Sequence, residues 1–161
     1  MGTRGPRDDQ PEESPSFGAS LVVADFGRGT ADDLVISVPE ALKPGWASGA
    51  VQVIYGTALG LTPAHSRQFS QVTRGIKGFD YDEAMFGSAL SVLAPARPDS
   101  YPILVVGAPN YGGLDEYARF GIVHLIHGSA DGLTAAKDQI LAAEEFPQVP
   151  VGEQFGWSLT S

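Results

Sequence analysis

The chain has 161 residues, 43% of them hydrophobic, with 20 glycines, 12 prolines and a formal net charge of −9. That charge argues against nucleic acid, whose phosphates need clustered Lys and Arg, and against an anionic membrane surface. The absence of cysteine excludes disulfides, thiolate chemistry and Cys-based zinc sites. No stretch approaches the roughly 18 apolar residues of a membrane span, so membrane insertion is not expected.

Residues 1–16 combine Gly, Pro, Asp, Glu and Arg with no large apolar residue after Met1, the composition of a disordered polar tail. They also lack the apolar stretch of a signal peptide. A short strand is predicted over Leu21–Ala24. The loop Asp25-Phe26-Gly27-Arg28-Gly29-Thr30-Ala31-Asp32-Asp33 follows, and then a second strand over Leu34–Val38. The unbroken apolar character of that second strand predicts burial on both faces, and Pro39 ends it because proline cannot donate to a ladder. Ala50–Tyr55 alternates, placing Val51, Val53 and Tyr55 on one face and Gln52 on the other. Gly56–Gly60 closes a turn, and a weakly patterned outer strand is predicted over Arg67–Thr73.

The same order then returns. Phe17-Gly18, Phe86-Gly87 and Phe155-Gly156 recur at 69 residues (86 − 17 and 155 − 86). Leu90–Leu93, Leu104–Ala108 and Ile122–Ile126 answer the first three strands, and Gly132-Leu133-Thr134 answers Gly60-Leu61-Thr62. A fourth strand of the second unit is expected near Glu144–Val149, while Ala135–Glu145 carries residues that favour a short helix. Self-similarity at a fixed period marks a repeat architecture.

Taken together, the Phe-Gly pair, the apolar run into Gly107-Ala108-Pro109, the Gly-x-Val strand and the Gly-Leu-Thr turn resemble the FG-GAP repeat family, the blades of integrin α-subunit-like β-propellers. The resemblance covers about residues 17–161. It implies an all-β fold of four-stranded antiparallel blades: blade one over 17–85, blade two over 86–154 and the first strand of a third over 155–161. Such an incomplete propeller would rely on further blades of a longer parent chain. Phe17, Phe86 and Phe155 are expected in the core, filling space between neighbouring blades.

In this family the first loop carries oxygen ligands for Ca²⁺ at its first, third, fifth and ninth positions. Here the first and ninth are Asp25 and Asp33, with Asp32 and the backbone carbonyl of Ala31 as further donors. The third and fifth are Gly27 and Gly29, which have no side-chain oxygen. Ca²⁺ wants six to eight oxygens, so the residues favour a glycine-rich turn kept for its shape over a cage. The second-unit loop, Ala94–Pro102, offers only Asp99 and three prolines.

His124 and His127 are three apart in a predicted strand and point to opposite faces, and His65 stands alone in a predicted loop. There is no nucleophile elbow, phosphate loop or His-Glu-x-x-His motif. The expectation is a non-catalytic module that binds a protein or glycan ligand. Its partner-facing candidates are Trp46, Tyr111, Asp115, Glu116 and Tyr117. An accessory domain of a secreted, phospholipase-like hydrolase and a structural spacer are the alternatives. The resemblance implies an extracellular or cell-surface setting, with any signal sequence lying upstream in a longer parent.

Overall fold

A computed structural model describes residues 16–40, 48–79, 83–112, 120–148 and 154–160. The tail read over residues 1–16 falls, apart from Ser16, outside this set. The described residues form eight strands and one 3₁₀ turn, with no α-helix among them. In chain order the strands are β1 (Leu21–Ala24), β2 (Asp33–Val38), β3 (Ala50–Thr57), β4 (Gly60–Phe69), β5 (Leu90–Leu93), β6 (Ile103–Ala108), β7 (Ile122–His127) and β8 (Thr134–Ala142). They make two open four-stranded sheets, β1-β2-β3-β4 and β5-β6-β7-β8, each an antiparallel meander. The fold is all-β, as expected.

The register repeats with the sequence. Gln52 faces Gln68 across β3 and β4, and His124 faces Ile140 across β7 and β8. β2 and β6 sit second in their sheets, flanked on both sides, and Val35, Leu104 and Val106 are fully buried. Val51, Val53 and Tyr55 share the buried face of β3, while Gln52 and Ile54 are half-buried. A single core lies between the two sheets and joins Phe26, Val35, Val53 and Phe69 to Phe86, Leu104, Ile126 and Leu133.

The outer strands depart from expectation. β4 begins at Gly60, directly after a two-residue turn, and ends at Phe69; residues 70–73 form a hydrogen-bonded turn instead. β4 is an edge strand, which is where Pro63 is tolerated, and its alternation is weak for the same reason. His65, expected in a loop, lies within β4. In the second sheet the fourth strand is Thr134–Ala142, not 144–149. Pairing with β7 overrides the helical preference of this Ala-rich stretch. Only Ala143–Glu145 winds, as one 3₁₀ turn.

The two sheets are joined by the Phe-Gly pair of the second. Phe86 forms a parallel bridge with Gly49, and its N–H donates to the Ser48 carbonyl (2.9 Å). A Cβ at Gly49, whose φ is +85°, would overlap the Phe86 carbonyl and sit 2.6 Å from its nitrogen. Glycine is therefore required there by both conformation and space. Phe86 is fully buried, but Phe17, expected in the core, is 63% exposed. Nothing among the described residues plays for the first sheet the part that the first sheet plays for the second.

Candidate functional site

An antiparallel meander puts alternate connections at opposite ends of the strands. One end carries the loops 25–32 and 94–102 and the turns 58–59 and 128–133. The other carries the longer connectors 39–49, 70–89 and 109–121.

At the first end, the loop from Asp25 to Asp33 is held by its own carboxylates. The N–H groups of Phe26 and Gly56 donate to Asp33 Oδ2 and Oδ1, each at 2.9 Å, and the Gly27 N–H donates to Asp25 Oδ1 at 2.9 Å. Asp33 is buried while Asp32 is exposed. Burial pushes the Asp33 carboxyl up from its ordinary value of 3.8. The two N–H bonds oppose the rise, and the charges of Asp25 and Asp32 add to it. The carbonyls of Ala31 and Asp32 lie against Gly56, where a Cβ would be 3.1 Å from Ala31 O and would overlap Asp32 O.

The same loop also grips the second sheet. The Arg28 N–H donates to the Ala130 carbonyl and the Ser129 N–H to the Phe26 carbonyl, both at 3.1 Å. The Arg28 guanidinium lies 4.7 Å from the centre of the Tyr55 ring. The Tyr55 hydroxyl accepts the Leu133 N–H at 3.0 Å, and a Cβ at Gly132 would come within 2.5 Å of that ring. Leu133 belongs to the second Gly-Leu-Thr turn, so the loop and Tyr55 together clasp the turn of the next sheet.

As a Ca²⁺ site the loop fits poorly. Both Asp33 oxygens and one Asp25 oxygen already accept backbone N–H groups, and the third and fifth positions offer no side-chain donor. Among the described residues no group of three or more His, Asp or Glu side chains converges. Asp25 and Asp99 line one cleft of about 420 Å³ with the prolines of the 94–102 loop, but they add no third carboxylate.

At the opposite end, Tyr111 is half-buried, and its hydroxyl accepts the Phe79 N–H at 2.9 Å. Its carbonyl accepts the N–H groups of Phe120 and Gly121 at 3.1 and 3.0 Å. It thus anchors the connectors on that end. Trp46, Asp115, Glu116 and Tyr117 lie outside the described residues.

One pair escaped sequence reasoning altogether. His124 Nδ1 and Asp138 Oδ2 are 2.9 Å apart and fully buried, and the Phe86 ring stands edge-on to His124 with centroids 5.1 Å apart. Asp138 Oδ2 also accepts the Lys77 N–H at 2.8 Å, fixing the connector between the sheets to β8. His127 is half-buried.

The inner edges of both sheets face a common cavity of about 410 Å³. Leu21–Val23, Leu90–Val92 and the pair Leu159-Thr160 line it. The first strands of both sheets and the segment that follows the third Phe-Gly pair around one space define a class: repeated four-stranded blades set about an axis, the arrangement of a β-propeller.

No family model matches the chain. It is 30% identical over 149 residues to integrin alpha-7 of Homo sapiens, a match covering 89% of this chain and 11% of that protein. It is 29% identical over 130 residues to integrin alpha-6 of Gallus gallus and 28% over 156 residues to integrin alpha pat-2 of Caenorhabditis elegans. The chain spans about a tenth of the length of these relatives (11%, 11% and 12%). With the repeated Phe-Gly docking, these matches place it in the FG-GAP repeat family, as integrin α-like propeller blades.

Proposed function

We propose that the chain is a non-catalytic, adhesion-type propeller module that binds a protein or glycan ligand in an extracellular setting. The observation that carries this reading is that the strand ends joined by the long connectors 39–49, 70–89 and 109–121 all lie at the same end of the meanders. At the opposite end the 25–33 loop is engaged with the 128–133 turn of the next blade. Trp46, Asp115, Glu116 and Tyr117 belong in sequence to those long connectors, and aromatic side chains on loops carried by a rigid scaffold are favoured anchors for a partner. The similarity to integrin alpha chains supports the same assignment, and further blades of a parent chain would extend the surface.

The Asp25–Asp33 loop, on this reading, is kept for its shape, and its affinity for Ca²⁺ is no tighter than about millimolar. Calorimetry should therefore register at most weak binding, abolished by Asp25→Ala or Asp33→Ala and unchanged by Asp99→Ala. Tight binding, or binding that survives Asp25→Ala, would contradict this account of the loop.

The binding role is tested by immobilised extracellular-matrix proteins and a glycan array probed with the 161-residue chain. Binding that is lost in a Trp46→Ala, Tyr117→Ala double variant is expected. Binding indifferent to that change, or confined to variants of the 25–33 end, would overturn the assignment.

A further inference from the structure

We propose that Phe79 is the residue by which the long-connector end of the blades docks on another protein. Its ring enters an apolar pocket of the partner, and carboxylates at the edge of that pocket pair with Arg74 and Lys77. Resting on the binding role proposed above, this assignment narrows the ligand from a protein or glycan to a protein. Phe79 lies on the connector between β4 and β5, and the chain holds both of the blades that this connector joins.

The backbone that carries Phe79 is held along its length. The Ser70 N–H donates to Thr73 Oγ1 and the Thr73 N–H to the Ser70 carbonyl, both at 2.9 Å, and the Ile76 N–H donates to the Thr73 carbonyl at 3.0 Å. Gly75, at φ +102°, lies against β8, where a Cβ would be 3.1 Å from the Ala135 carbonyl oxygen. Ile76 is buried. The Lys77 N–H donates to Asp138 Oδ2 at 2.8 Å, and that carboxylate is itself fixed by His124. Gly78, at φ +88°, passes so close to Tyr111 that a Cβ would be 2.9 Å from its hydroxyl, which accepts the Phe79 N–H. A fully buried His-Asp pair and a half-buried tyrosine thus fix the two backbone groups on either side of Gly78.

What this framework presents is apolar and cationic. The Phe79 ring is 80% exposed and Val72 is 44% exposed. Arg74 and Lys77 are exposed as well, and neither pairs with a carboxylate among the described residues. Residues 70–79 contain no Asp or Glu, in a chain whose net charge is −9. The carboxylates of the same connector, Asp80, Asp82 and Glu83, all follow Phe79 in sequence. A partner's carboxylates are therefore favoured on the side of Phe79 that carries Arg74 and Lys77, where opposite charges steer and orient the encounter.

At this exposure the ring adds little to the fold, yet the backbone beneath it is held by buried groups. Such an arrangement suits recognition: a segment fixed before binding loses less freedom on binding, and a rigid aromatic side chain is a favoured anchor at protein interfaces. The chemistry of the patch selects the class of partner. A phenyl ring and a valine have no atom to hydrogen-bond a sugar hydroxyl, but both gain from an apolar pocket that removes them from water. A sulfated polysaccharide would engage Arg74 and Lys77 and leave Phe79 and Val72 in solvent.

Two measurements on the full 161-residue chain test this. In the first, NMR titration with carboxymethyl-β-cyclodextrin supplies an apolar cavity rimmed by carboxylates. Phe79 signals should shift at about millimolar probe, and an Arg74→Gln, Lys77→Gln variant should weaken the effect about threefold. Neutral hydroxypropyl-β-cyclodextrin should not distinguish that variant from the native chain. Amide order parameters of residues 77–79 should reach about 0.8, the value of rigid backbone. In the second, the immobilised matrix proteins that retain the native chain are probed with Phe79→Ser, which should lower affinity about tenfold or more, and heparin should be indifferent to the change. Tyr111→Phe, which keeps the Phe79 ring but removes the hydroxyl that holds its N–H, should also weaken retention. Silence of Phe79 in the titration, or order parameters below about 0.6 at 77–79, overturns the proposal. Retention that is lost in the Trp46→Ala, Tyr117→Ala variant but indifferent to Phe79→Ser overturns this proposal alone. A chain that no matrix protein retains overturns the binding role and this proposal with it, and preferential binding of heparin would assign the two cations to a polysaccharide instead.

Discussion

The two blades are written with nearly the same motifs, but those motifs are buried in one blade and exposed in the other. Phe86, Leu90 and Leu133 of the second blade lie against the first, whereas Phe17, Leu21 and Leu61 of the first blade face outward. Each blade keeps its own strands and hydrogen bonds in either case. What differs is the neighbour. In this architecture the ladder is a property of the repeat, and burial of the Phe-Gly and Gly-Leu-Thr motifs is conferred by the preceding repeat. This is the nearest-neighbour behaviour of repeat proteins.

That comparison can be broken by substituting equivalent positions at concentrations where the chain is monomeric. The largest effect is expected at the Gly-Leu-Thr turn. Leu133→Ala should cost about 2–5 kcal/mol in a denaturant melt, the range for a fully buried leucine, while Leu61→Ala should stay within about 0.5 kcal/mol. Equal losses at the two positions would mean that both turns are buried alike. Smaller is the contrast at the motif glycine. Gly18→Ala adds only the strain of a left-handed backbone, about 1 kcal/mol, because no neighbour meets the new methyl. Gly87→Ala meets Ala50 and Val51 as well and should cost about 1–3 kcal/mol more.

The smallest contrast concerns Asp33, whose counterpart in the second blade is Ile103. Asp33→Asn keeps one acceptor and turns an amide toward a second N–H, a loss of about 1–2 kcal/mol. Its pH dependence has a definite sign. The folded carboxyl holds its proton to higher pH than the unfolded one, so this group's contribution is complete below 3.8. The contribution then declines as pH rises through the raised folded value. The difference in Tm between the native chain and Asp33→Asn should therefore narrow from pH 3.5 towards pH 7. A difference that widens over that window would contradict the burial argument.

Much of the fold was legible because the inner three strands of each blade are apolar, the middle two of them largely buried, and because the repeat states them twice. β2 and β6 needed no more than their unbroken Leu-Val-Ile character. The outer strands were misplaced for a physical reason: β4 and β8 are edges, half-exposed, so Thr62, Pro63, Lys137 and Gln139 blur the alternation. The site was harder. Glycine spacing disclosed a tight loop after β1, but not that Asp33 would spend both oxygens on the N–H groups of Phe26 and Gly56. Gly56 is 23 residues away and reaches Asp33 only once β2 and β3 pair. The Tyr55–Leu133 contact spans 78 residues. His124 and Asp138 are 14 apart and meet across a ladder whose register no local pattern announces. The one available signal was Tyr55 aligning with His127, which marked that position as equivalent in both blades without revealing its role.

The central claim is that the preceding blade, not the motif itself, makes the Phe-Gly pair structural. The most direct measurement is a pair of urea melts on the full chain, Phe86→Ala against Phe17→Ala, under dilute monomeric conditions. Phe86→Ala should lose about 3–5 kcal/mol and Phe17→Ala less than about 0.5 kcal/mol, a gap set by burial alone. Comparable losses at the two phenylalanines would contradict the claim, because they would show that Phe17 has a buried seat of its own within the chain.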